Sequence, residues 1–272
     1  MQIYKDMNIG TAKVTEDEMQ NVPHYLIDFV SPDEEYNVSK YKEEATRKIE
    51  DIISRGKTPI IVGGTGLYVD TLINGIEFTE IENNQEYREE LEEILKHNEN
   101  GIDILFDMLK KVDPDSANKI DKNNTRRVIR ALEIFKVTGK TKSQIDRESV
   151  KGSEYNFLVF GIELDRVFLY DRINKRVDIM INDGLVDEVK NVISKYNVSK
   201  TAMQALGYKE VVEYLNNKIS YNDMVEKIKQ ESRRYAKRQM TWFRHIDSII
   251  WIDGTDREKM INQIIKEYEG DE

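Results

Sequence analysis

Four apolar residues, Pro59-Ile60-Ile61-Val62, run into Gly63-Gly64 and then directly into a helical pattern from Thr65 to Ile73. A short apolar run without alternation reads as a strand buried on both faces. A strand that hands over to a helix through glycines belongs to a β-α unit, and such units build parallel sheets. The neighbouring segments keep the rhythm. Met1 to Tyr4 reads as the end of a strand, and His24 to Phe29, just before Ser31-Pro32, as another. Asn37 to Arg55 reads as a helix, with Tyr41, Ala45, Ile49, Ile52 and Ile53 at helical spacing. Ser39 is its candidate cap, and Gly56 ends it.

From about residue 79 to about 150 the pattern changes. Glu, Lys and Asn dominate, no strand is readable, and Tyr87–Leu95, Ile102–Lys111 and Arg126–Val137 read as helices. Leu158 to Ile162 returns to strand. Tyr170 to Asp183 is a helix with Leu169, Ile173, Val177, Met180 and Ile181 along one side and Gly184 at its end. Ile249 to Ile252 is a last strand before an amphipathic helix. The expected organisation is an α/β core made of residues 1–78 and 151–272, interrupted by a helical insertion at 79–150.

Composition narrows the function. The chain has 272 residues, no cysteine and three scattered histidines. Disulfides and thiolate metal sites are excluded, a histidine-built metal centre is disfavoured, and a reducing cytoplasmic setting is expected. No apolar run nears the roughly 18–20 residues that span a bilayer. The formal net charge is −10. Against that background Lys229, Arg233, Arg234, Lys237, Arg238 and Arg244 crowd into sixteen residues, with Glu231 the only acid among them. A cation cluster on an acidic protein is a local device, and its natural targets are phosphates of a nucleic acid or a pyrophosphate.

Other sites have two readings each. Gly63-Gly64-Thr65-Gly66 is either a tight turn or a place where backbone amides approach an anion at a helix start, with Thr65 the one hydroxyl in it. Arg126, Arg127 and Arg130 share one side of a helix, with Val128, Leu132 and Phe135 on an apolar stripe. They face phosphates or simply solvent. Arg172 and Arg176, four apart, form either a guanidinium fork on a pyrophosphate or surface salt bridges with Asp171 or Glu163. His24 beside Asp28 reads as a hydrogen-bonded structural histidine. Gln204 to Lys209 reads as a helix join.

Several of these strings occur in order: Met1-Gln2-Ile3-Tyr4-Lys5-Asp6-Met7-Asn8-Ile9-Gly10-Thr11-Ala12-Lys13, the GGTGLY turn, Arg126–Gly139, Gly184–Val189, Gln204–Glu210 and Tyr235–Arg244. Together they resemble the tRNA dimethylallyltransferase (isopentenyl-diphosphate:tRNA transferase) family nearly end to end. The resemblance implies a P-loop NTPase-like parallel sheet core with a helical insertion domain that grips the anticodon stem-loop of tRNA. It implies transfer of a dimethylallyl group from dimethylallyl diphosphate to N6 of the adenosine 3′ of the anticodon, assisted by Mg2+ and with no protein metal cage. It assigns Thr65 to the reaction channel and Arg176 to the diphosphate. Tracing the same motifs, it assigns tRNA contact to Met1, Gln2, Arg88, Arg126, Arg127, Val128, Ile129, Arg130, Gln204, Gly207, Tyr208, Lys209, Lys237, Arg238, Gln239, Thr241, Trp242 and Arg244. It leaves His24 without a role.

Family members carry a GPTxSGKT phosphate loop before the Gln-Ile-Tyr segment, and an Asp-Ser pair supplying the general base. Neither occurs in these 272 residues. The expectation is therefore a monomer that is inactive as a transferase on its own, either because the sequence starts late or because it is a remnant. Two competitors stand beside it: a P-loop nucleotide kinase-like enzyme, and a non-catalytic tRNA-binding remnant.

Overall fold

A computed structural model describes residues 1–78 and 84–270. The start of the expected insertion, at residue 79, lies outside the described residues. The chain divides into two compact units, residues 1–69 with 156–272, and residues 70–155.

In the first unit α1 (Glu16–Met19) is a single turn closed by a capping box of Thr15 and Glu18. Next, α2 (Val38–Ser54) buries Ala45 and Ile49. Its cap is Asn37, whose side chain accepts the N–H of Lys40 at 3.0 Å, and not Ser39. After it, α3 (Gly66–Ile73) begins as expected behind Thr65, whose carbonyl accepts the N–H groups of Tyr68 and Val69.

The second unit is a helical bundle of α4 (Gln85–His97), α5 (Gly101–Val112), α6 (Pro114–Lys119), α7 (Thr125–Thr138) and α8 (Lys142–Ser149). Leu91, Leu105, Leu109, Val128, Ile129 and Leu132 form its core. Short α6 and α8 are held by one buried carboxylate. Asp113 accepts the N–H of Ser116 through Oδ1 and that of Ser143 through Oδ2, each at 3.0 Å. This caps α6 and pins the start of α8.

The first unit then resumes with β1 (Val159–Glu163), α9 (Arg166–Asn182), α10 (Leu185–Lys195), α11 (Lys200–Met203), α12 (Tyr208–Leu215), α13 (Tyr221–Phe243), β2 (Ile249–Asp253) and α14 (Arg257–Gly270). The two strands pair in parallel, from Val159 opposite Ile249 to Glu163 opposite Asp253. The expected α/β class with a parallel sheet therefore holds, with the mass of the unit helical. Its core gathers Tyr4, Met7, Val177, Leu185, Val189, Tyr208, Val211, Met224 and Ile228.

Three expected strands do not form. Met1 to Tyr4 is a turn, tied to the chain by a single parallel bridge between Tyr4 and Val30. Within His24 to Phe29, Leu26 and Asp28 take φ of 59° and 56°. Those left-handed values turn the backbone away from the extended form a ladder needs. Pro59 to Val62 is irregular, with Ile60 83% and Val62 90% exposed. A doubly apolar run becomes a central strand only with neighbours on both edges, and no strand lies beside it among the described residues.

Candidate functional site

The glycine turn and the basic helix meet. Gln239 on α13 donates its Nε2 to the carbonyl of Gly64 at 2.7 Å. Its side chain occupies the space a methyl group on Gly64 would need, and the indole of Trp242 does the same at Gly66. Glycine is required at both positions because another element lies against the backbone. That favours close approach over a bare tight turn, and here the approaching groups come from the protein itself. Thr65 stays exposed between the two contacts.

The cations of α13 have separate duties. Lys229 pairs with Asp178 at 2.7 Å, and Arg233 donates to Asn174 Oδ1 at 2.5 Å; both hold α13 against α9. Arg234 pairs with Glu231 at 2.6 Å, and Arg244 with Glu163 at 2.8 Å at the end of β1. Arg238 lies over the Tyr235 ring, 5.8 Å from its centroid. Lys237 and Arg238 are left exposed with no ion pair among the described residues. Lys237, Met240 and Arg244 line a cavity of about 250 Å3 with Arg166, Tyr170 and the apolar Ile162, Leu164 and Leu169. Glu163 also lines it and neutralises Arg244, which leaves Lys237 and Arg166 as the cations of the rim above an apolar floor.

Arg176 does not line that cavity. It lies on α9, one helical turn from Arg172. Surrounding atoms lower its pKa by desolvation, yet its side chain keeps a large exposed area, and it remains a cation at any working pH. The salt-bridge alternative for this pair is not realised: Asp171 pairs with Lys175 at 2.6 Å and Glu163 with Arg244. Arg172 instead covers the ring of Phe168. His24 donates its Nδ1–H to the carbonyl of Val22 at 2.8 Å, while Asp28 pairs with Lys13. The hydrogen-bond partner of this histidine is its own turn and not Asp28.

In the helical unit Arg126 and Arg127 are exposed, and Arg130 is half-buried. Arg130 and Arg88, from α7 and α4, converge on Glu133. Val128 and Ile129 do not reach the surface. They are buried in the bundle, and their part is to anchor the helix that carries the arginines. Gly207 and Tyr208 are likewise buried, so any RNA contact at Gly207 is through its backbone. Gln204 and Lys209 remain exposed, with Lys209 3.3 Å from Glu210. Met1, Thr241 and Trp242 keep solvent contact, and Gln2 is half-buried. Sequence reasoning missed Glu133 and Glu188 as organisers of their surroundings. Glu133 had a readable signal, an acid at helical spacing from Ile129 on an apolar face.

Comparison with known proteins gives the same direction. The IPP transferase family matches residues 2–246. A tRNA dimethylallyltransferase of Thermoanaerobacter sp. (strain X514) is 49% identical over 99% of this chain and 87% of its own length. One from Bacillus cereus (strain B4264) is 44% identical over 99% of this chain and 84% of its length. The crystal structure of the full-length tRNA isopentenylpyrophosphate transferase from Bacillus halodurans superposes with a TM-score of 0.71 at 42% identity, covering 99% of this chain and 84% of that one. A eukaryotic dimethylallyltransferase acting on tRNA gives 0.72 at 32% identity, covering 94% and 66%. These matches do not bear on the phosphate loop expected from the resemblance. Among the described residues no helix is long and apolar enough to cross a membrane. The chain belongs to the IPP transferase family.

Proposed function

We propose that this protein prenylates tRNA, moving the dimethylallyl group of dimethylallyl diphosphate to N6 of the adenosine 3′ of the anticodon. The observation that carries the reading is the junction of the glycine turn with α13, where Gln239 and Trp242 lie against Gly64 and Gly66 and Lys237 and Arg238 stay exposed. The chemistry needs donors and cations arranged around a departing pyrophosphate, because charge develops there as the allylic C–O bond breaks. Lys237 on the rim of the cavity is suited to that charge and the apolar Ile162, Leu169 and Met240 to the hydrocarbon; Arg176, which the resemblance assigns to the diphosphate, stands outside that lining. Arg126, Arg127, Arg130 and Arg88 are suited to phosphates of the stem, which position a hairpin without reading its sequence. The adenine amine must leave the stacked loop to react, at a cost of a few kcal/mol.

Among the described residues no group of three His, Cys, Asp or Glu side chains is placed to hold a metal. Magnesium on the diphosphate oxygens would neutralise the leaving group.

The test has two parts: affinity for an unmodified anticodon stem-loop against a scrambled hairpin, then transfer of labelled dimethylallyl in the presence of magnesium. Preference for the stem-loop with labelled product supports the reading. Preference without product would remove the transferase activity from this chain and leave tRNA binding. Neither preference nor product would overturn the reading.

A further inference from the structure

Glu188 on α10 carries no role in the resemblance, yet its carboxylate is fully engaged. Oε2 accepts the backbone N–H groups of Asn8 (2.9 Å) and Ile9 (2.7 Å). Oε1 accepts the N–H of Gly10 at 3.0 Å and the hydroxyl of Tyr208. Three successive amides converging on one carboxylate form an anion nest, filled here by the protein's own side chain. A Cβ at Gly10 would stand 2.5 Å from the Tyr208 ring and 2.8 Å from Leu185, so only glycine permits the approach. Tyr208 is 2% exposed, and its hydroxyl is spent on Glu188.

The far end of the same loop holds Gln2. Its Nε2 donates to the carbonyls of Thr11 (3.1 Å) and Ala12 (2.7 Å). The Thr11 hydroxyl donates to Met7 O at 2.7 Å and braces the turn between them. With both amide hydrogens committed, the polar atom that Gln2 still offers is Oε1, an acceptor. An acceptor fixed in place selects an amino group and rejects a carbonyl.

We propose that Glu188 is a positioning residue: with Tyr208 it clasps the loop from Asn8 to Ala12, and through that loop it presents the Gln2 amide as an acceptor for the exocyclic amine of an RNA base. The inference rests on the tRNA reading above. A simple brace would loosen the fold without discriminating between ligands. A positioning clasp weakens RNA recognition selectively, and most where the base carries an amine.

The experiment uses the full chain with Glu188→Gln, Glu188→Asp and Tyr208→Phe. Hydrogen exchange is followed at Asn8, Ile9 and Gly10. Affinity is measured for dimethylallyl diphosphate and for two anticodon stem-loops, one with adenosine and one with purine at the target position. In Glu188→Gln an NH2 replaces one acceptor and opposes the loop amides. The expected result is exchange faster by about tenfold, adenosine stem-loop affinity lower by about tenfold, and a smaller preference for adenosine over purine. Diphosphate affinity stays within about twofold, and Glu188→Asp restores part of the loss. Tyr208→Phe gives the same pattern at smaller amplitude. Unchanged exchange would refute the clasp. Faster exchange with unaltered stem-loop affinity and adenosine preference would reduce Glu188 to a brace and overturn the proposal alone. A wild-type chain that binds neither stem-loop would overturn the tRNA reading, and this inference with it.

Discussion

Arg130 donates to a carboxylate that has no exposed surface: its Nη1 lies 2.9 Å from Oε2 of Glu133. Arg88 approaches the same oxygen at 3.5 Å, and Oε1 accepts no hydrogen bond. A buried carboxylate with one orphan oxygen is a poor device for stability. It is an effective device for holding two guanidiniums, from α4 and α7, at one place. Removing the partner and leaving the acid should be the worst outcome. Arg130→Ala is expected to cost about 2–3 kcal/mol, discounted because the arginine is 35% exposed. Arg130→Ala with Glu133→Leu should cost less than Arg130→Ala alone. Urea unfolding of the two variants checks the order.

Arg127 and Arg176 should divide by ligand. Arg127 is exposed on α7, and Arg176 lies on α9 in the other unit. Arg127→Ala is expected to weaken stem-loop binding by about 1 kcal/mol and to reduce its salt slope by about one, with the diphosphate unaffected. Arg176→Ala should do the reverse. Equal losses of both ligands in both variants would remove the division.

A methyl group at Gly66 would collide with the Trp242 indole. Gly66→Ala should therefore displace Trp242 and loosen the grip of α13 on the turn, at a cost of about 1–3 kcal/mol. Fluorescence in a Trp251→Phe background reports Trp242 alone. An unshifted spectrum would mean that the turn yields and the helix does not.

Acid should unfasten the helical unit at Asp113. Burial pushes its pKa up, but hydrogen bonds from Ser116 and Ser143 outweigh burial and hold it below the usual aspartate value. The folded value lies below the unfolded one, so the stabilisation is whole at neutral pH and is lost as pH falls through the folded value. Asp113→Ala should cost about 1–2 kcal/mol at pH 7. The gap from wild type should narrow below about pH 4. Urea titrations at several pH values measure it, and a gap that widens in acid would contradict the assignment.

Helices α4, α5 and α7 were legible because amphipathic spacing is a local property, and the arginine face of α7 came with them; short α6 and α8 span too few turns to show a period and were not read. The α9 and α13 helices and strands β1 and β2 were legible for the same reason. Pro59 to Val62 misled because its pattern states what the segment needs on either side and not what it has. Asn37 displaced Ser39 as cap because both residue types cap well and only the backbone geometry decides. Tyr208 and Val128 sit inside the quoted motifs yet are buried, and motif membership does not separate an exposed side chain from the packing beneath it. Glu188 was beyond reach, since nothing in spacing reveals that an acid at 188 meets amides at 8 to 10.

The carbonyl of Gly64 has a further bearing on how two substrates share one enzyme. Gln239 ties it to the same helix that exposes Lys237 and Arg238. Occupancy at one end is expected to bias occupancy at the other, by an equal factor in both directions. Gln239→Ala should reduce the effect that hairpin and allylic donor have on each other's affinity, measured by titrating each in the presence of the other.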